Sequence, residues 1–138
     1  MRMNTAVEES WARLADLDET EREALMESRY RELALLSEDE RRRRLADTAE
    51  AEYTLPSGKL RLFHHSRLRS WLRLEPGAAG RVAASYNAVM RRLPGDLIRC
   101  RVSVVRSLLR SFPQDQRAHL KSLVPRVWGD GPDADAYS

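Results

Sequence analysis

The chain carries a single cysteine, Cys100, so it forms no internal disulfide, and no basic-then-apolar leader opens it. A reducing cytoplasmic compartment is therefore expected. No apolar run approaches the roughly 20 residues that cross a bilayer, so no membrane-spanning helix and no membrane partner is expected. Histidine is equally sparse, with only His64, His65 and His119. Adjacent helical residues point about 100° apart, so His64-His65 forms no two-ligand metal face, and neither an H-E-x-x-H motif nor a Cys/His zinc spacing occurs. One histidine of the pair is expected against the core and the other in solvent. The glycines make no phosphate loop, because Gly77 and Gly80 lack the Lys-Ser/Thr ending that a nucleotide cradle requires. No serine sits in a Gly-x-Ser-x-Gly elbow, and Cys100, with no base placed beside it, is expected as a buried structural thiol. These absences point to a non-enzymatic protein with no cofactor and no metal.

What is present is helical. A chain of 138 residues buries roughly 68–70% of its unfolded surface and needs no staple to hold a core. Thr5 and Glu8 have capping-box spacing ahead of Trp11, Leu14 and Leu17, which predicts a short first helix docked by Trp11. Asp18 with Glu21 opens a second helix whose Leu25, Met26, Tyr30, Leu33 and Leu36 share one side. Ser37 with Glu40 opens a third, running to about Tyr53 with a thin stripe of Leu45, Ala46, Ala49 and Tyr53. Leu55-Pro56 breaks that helix, and Ser57 is expected to cap a fourth through about Leu74, with Phe63, Leu68 and Trp71 inward.

A fifth helix, about Ala78 to Leu93, presents Val82, Tyr86, Val89 and Met90, and turns Arg81, Arg91 and Arg92 away. Asp96 is expected to cap the sixth, about Leu97 to Ser111, whose breadth of apolar surface places it at the centre. The β-branched run Val102-Ser103-Val104-Val105 is outweighed there by helical periodicity. Pro113 stops that helix, and a seventh follows from about Gln114 to Val124. No internal repeat is detected. The expected fold is an all-α bundle of six to seven short helices with oblique crossings, over a single domain 1–127. Trp128 is expected to clamp the last helix, ahead of a polar, disordered tail over 128–138.

Charge is unevenly distributed. Residues 1–56 hold 9 basic and 15 acidic groups, whereas residues 57–127 hold 15 basic groups and only Glu75, Asp96 and Asp115. Of the 24 basic residues only Lys59 and Lys121 are lysines. The Arg41-Arg42-Arg43-Arg44 run spreads around its helix, with Arg43 facing Asp47 and Glu40 facing Arg44, and is expected as a solvated surface.

On the sixth helix, Arg99, Ser103, Arg106 and Arg110 share one sector away from the apolar face. With Arg81, Arg91 and Arg92 from the fifth helix and Arg69 and Arg73 from the fourth, they make a candidate polyanion-binding surface. Guanidinium groups of this kind contact phosphates by charge-assisted hydrogen bonds, giving backbone contact rather than base readout. Arg101 points instead toward the apolar side, where it marks an internal polar pocket or snorkels outward. The expected function is binding of a polyanion, nucleic acid first. The alternative is an adaptor or self-associating subunit whose partner is an acidic protein surface or a second copy, and a ligand sensor built around Arg101 is a third.

Overall fold

The computed structural model describes residues 11–124, within which a short 3-10 helix and six α-helices account for the regular structure. The 3-10 helix spans Trp11–Asp16, followed by α1 (Glu19–Leu33), α2 (Glu38–Tyr53), α3 (Ser57–Arg73), α4 (Pro76–Met90), α5 (Gly95–Leu109) and α6 (Gln114–Leu123). The all-α expectation holds. No helix among the described residues is long and apolar enough to cross a membrane. The Thr5–Glu8 cap, the place of Trp128 and the tail lie outside the described residues.

Local signals set the helix starts. Asp18 accepts from the Glu21 amide at 2.9 Å, and Ser37 accepts from that of Glu40 at 3.2 Å, each satisfying an otherwise free first-turn donor. The later helices start differently from expectation. Pro56, not Ser57, is the N-cap of α3, and Pro94, not Asp96, is that of α5, with no side-chain cap bond in either. Proline in an extended conformation holds the entry geometry there without a hydroxyl or carboxylate.

The first residues of the six α-helices, Glu19, Glu38, Ser57, Pro76, Gly95 and Gln114, stand 19 residues apart throughout. The residue preceding each cap is also apolar every time: Leu17, Leu36, Leu55, Leu74, Leu93 and Phe112, all packed into or against the core. The chain therefore contains a helical repeat, contrary to the sequence-based expectation of none. Its unit is one helix and one short link, stapled at the helix entry by the preceding apolar residue. Packing follows the same period. The tightest contacts join α1 to α3 and α2 to α4, with α3 to α5 and α4 to α6 continuing the series, so each helix stacks on the one two places along.

The arrangement moves the centre of the protein away from α5. Phe63, Leu68 and Trp71 of α3 are buried completely or nearly so, and α3 meets α1, α5, α6 and the 3-10 helix, whereas α5 packs chiefly on α3. Hydrophobicity made α5 look central, but its place at the end of a row leaves Leu97 and Ile98 half-exposed. Rings of Trp11, Tyr30, Trp71 and Tyr86 run through the interior with centroids 5.4, 5.9 and 5.6 Å apart in succession, Tyr30–Trp71 and Trp71–Tyr86 meeting edge to face. Leu25, expected in the core, is 42% exposed on the outer side of α1. Cys100 is also exposed rather than buried, because it falls on the far side of α5 from Val102, Val105 and Leu109.

Candidate functional site

Burial of charge is the first feature of the site. Glu52, on the core stripe of α2 one turn beyond Ala49, is fully buried and accepts from two arginines of other helices. Arg67 of α3 donates to it at 2.6 Å, and Arg101 of α5 donates to its other oxygen. Tyr86 of α4 adds its hydroxyl at 3.3 Å. Both guanidiniums lie over the Tyr86 ring, 4.4 Å for Arg67 and 5.2 Å for Arg101, so the cations are held by a carboxylate at their edges and a π face beneath. Arg67 also donates to Nδ1 of His64. That ring is pushed well below the usual histidine range, first by burial and then by Arg67 and Arg101, and it stays neutral. Its Nε2 lies 3.9 Å from Glu52 Oε1 and has no hydrogen-bond partner. Burial likewise pushes the Tyr30 hydroxyl up to about 12.

A second cluster lies along the seam between α1 and α3. Arg69 reaches buried Glu23 at 3.0 Å and Glu19 at 3.9 Å, and Arg73 reaches Glu23 at 3.2 Å and Glu27 at 3.8 Å. Glu19, Glu23 and His65 bring ligand atoms within 4.8 Å of one another, the geometry of a metal-binding group. Two guanidiniums already supply the positive charge those carboxylates require, and His65 is pushed below its usual range by partial burial and by Arg69. The cluster is an ion-pair network that ties the acidic first half to α3.

The expected cationic surface is thus divided by packing. Arg69 and Arg73 face the carboxylates of α1, Arg81 donates to the Ala34 carbonyl at 3.1 Å, and Arg101 is only 9% exposed beside Glu52. Arg92 lines a depression with Asp39, Arg42, Arg43 and Glu50 of α2. Arg91 instead lines a cleft of about 60 Å³ with Tyr86, Met90, Ile98, Arg101 and Val105. What remains together is the outer face of α5, where Arg99, Ser103 and Arg110 are exposed and Arg106 is half-buried beside them. Arg91, Arg92, Arg99 and Arg110 form no ion pair with a described residue.

Besides Arg67, two further buried arginines escaped the sequence reading. Arg22 donates through Nε to Ser66 at 2.8 Å and through a terminal nitrogen to the Leu17 carbonyl at 2.7 Å. Arg41 donates through Nε to Ser85 at 2.8 Å and to the Leu36 carbonyl at 2.7 Å. Arg41 therefore leaves the solvated run that Arg42, Arg43 and Arg44 do form with Glu38 and Glu40, and Arg43 pairs with Glu40 rather than Asp47. The signal that identifies these clasps is the 19-residue spacing that relates Arg22 to Arg41 and Ser66 to Ser85. Comparison with known proteins finds no matching family model, curated protein or solved structure.

Proposed function

We propose that the protein is a non-catalytic binder of a polyanion, nucleic acid first, which it contacts through the outer face of α5. Arg99, Arg106 and Arg110 carry the contact, and Arg91 extends it across the neighbouring cleft. The mechanism is electrostatic: guanidinium groups replace counterions along a phosphate backbone, so affinity falls steeply as salt rises. Contacts of this kind position a backbone and carry no base sequence.

The observation behind it is a division among the arginines of the second half. Arg67, Arg69, Arg73 and Arg101 meet carboxylates of the first half, while Arg91, Arg99 and Arg110 have no carboxylate partner among the described residues. Nothing within α5 after Asp96 offsets the outer face. Fluorescence anisotropy with random-sequence single- and double-stranded DNA and RNA, across a salt series, tests it. Binding at low salt is expected, with a log–log salt slope that falls by about one for each of Arg99, Arg106 and Arg110 changed to Gln. No binding at low salt, or an unchanged slope in the triple variant, rejects it.

A further inference from the structure

From α1 to α4 the 19-residue repeat seats on each helix the helix two positions further on, and among the described residues no helix takes that place on α6. In α1 the fourth helical residue is Arg22, whose Nε donates to Ser66 of α3; in α2 it is Arg41, whose Nε donates to Ser85 of α4. In both, acceptor follows donor by 44 residues. The fourth residue of α6 is again an arginine, Arg117, and its Nε is buried with no hydrogen-bond partner. No described residue stands at its equivalent acceptor position, 44 residues further on. A buried donor left unmatched is rare in folded proteins, and here two internal copies show what matches it: a serine hydroxyl on a stacked helix.

The surface around Arg117 has the shape of that missing contact. A depression of about 290 Å³ on α6 is lined by Gln114, Arg117, Ala118 and Lys121. In the repeat register these correspond to Glu19, Arg22, Glu23 and Met26 of α1. Arg22, Glu19 and Glu23 of that set meet Ser66 and Arg69 of α3.

The complementary surface stands at the other end of the same chain. Ser28 occupies in α1 the register position that Ser66 occupies in α3 and Ser85 in α4, since it precedes each by whole repeats. Ser66 and Ser85 are buried against the helix two places before their own, whereas Ser28 is exposed. On the same end of the fold lie Leu25 of α1, 42% exposed, and Leu35 of the link that follows it, 81% exposed, two of the large apolar side chains that the fold leaves in solvent. The acids Glu21 and Glu32 are exposed on the same outer side of α1, opposite in sign to Arg117 and Lys121.

We infer that α6 of one copy stacks on α1 of a second copy, with Arg117 Nε donating to the Ser28 hydroxyl as Arg22 does to Ser66. The donor and acceptor patches are different surfaces, so the contact is head to tail and does not close on itself: association adds copies in series. It involves neither Arg99 nor Arg110 and stands independently of polyanion binding.

Sedimentation velocity and light scattering on the full chain, over a wide range of concentration, test the contact. The wild type is expected to gain mass steadily with concentration. Ser28→Arg sets a guanidinium against Arg117, and Ala118→Arg sets one against Arg31, the register equivalent of Arg69. Both sites are exposed, so helical circular dichroism should be retained, and each variant alone should be monomeric. Mixed, the two variants retain one intact patch each and should form a single one-to-one dimer that grows no further. A wild type that is monomeric at every concentration overturns the inference, whatever then covers α6. So does a wild-type dimer that stops at two, or either variant assembling as the wild type does.

Discussion

Arg41 Nε lies 2.8 Å from Ser85 Oγ, and one repeat earlier Arg22 Nε lies 2.8 Å from Ser66 Oγ. Each arginine also ties its own helix to the link before it, through the Leu17 or Leu36 carbonyl. One side chain therefore satisfies a partly buried carbonyl and a buried hydroxyl while fixing which two helices stack.

Ser85→Ala should accordingly destabilise the protein by about 1–3 kcal/mol, because it leaves a buried charged donor unmatched at negligible change in volume. Ser66→Ala should cost at least as much, since Ser66 Oγ also lies 3.5 Å from a Glu23 oxygen. The two clasps share no partner, so the double variant should equal the sum of the singles within about 0.5 kcal/mol. Urea unfolding midpoints measure all three. Single variants indistinguishable from the wild type would show that the clasps are incidental to stacking.

Glu52 is the carboxylate that two buried guanidiniums share, so Glu52→Gln should cost about 3–5 kcal/mol, as expected when one member of a buried pair is removed. Replacing its partner as well relieves part of the loss. Glu52→Gln combined with Arg67→Met should be more stable than the sum of the single effects by about 0.5–3 kcal/mol. A double-mutant cycle by chemical denaturation measures the coupling. Additive effects would mean that Glu52 and Arg67 do not stabilise each other.

His64 makes stability depend on pH. Its folded value lies well below the ordinary 6.5, because burial and the adjacent Arg67 and Arg101 disfavour the charged ring despite Glu52 nearby. Below about pH 6.5 the unfolded chain binds a proton that the folded chain does not, so stability is full above that pH and falls as pH drops. The limiting slope is about 1.4 kcal/mol per pH unit. His64→Asn, which keeps an acceptor for Arg67, should flatten most of that fall, and His65 supplies a smaller change of the same sign. Urea midpoints from neutral pH downward read the difference. An unchanged profile in His64→Asn would show that the ring takes up its proton equally in both states.

Much of this fold is legible along the chain because its signals are local. Asp18 with Glu21 and Ser37 with Glu40 mark their helix starts to the residue, and Pro56, Pro94 and Pro113 mark three more. The repeat is harder to read, since only the apolar residue before each cap persists while the helices between vary from Arg-rich α2 to Ala-rich α4. Stacking of alternate helices is not written in hydrophobicity at all. It placed the strongly apolar α5 at an edge and the mixed α3 in the middle. For the site, the outward sector of Arg99, Ser103 and Arg110 follows from helical geometry alone. The fate of Arg69 and Arg73 does not, because Glu23 lies 46 residues from Arg69 and meets it only after α1 and α3 dock. Glu52 did carry a signal. It is an acid on the core stripe of α2, and Arg101 is a base on the apolar side of α5. Two opposite charges misplaced on separate apolar faces are each other's most economical partner.

That division among arginines separates stability from binding. Arg69 and Arg73 are about two-fifths exposed, but Glu23 beneath them is buried, and Arg69→Gln with Arg73→Gln leaves its carboxylate without a cation. The double variant should lose about 1–3 kcal/mol of stability. Its affinity for random-sequence DNA at low salt should stay within about twofold, since both guanidiniums are already paired with Glu23 in the folded protein. Arg99→Gln with Arg110→Gln should do the reverse, holding the urea midpoint while lowering affinity and reducing the salt slope by about two. Both pairs remove the same formal charge from the second half of the chain. If affinity falls equally in the two variants, total charge rather than the outer face of α5 governs binding, and the assignment of Arg99 and Arg110 fails.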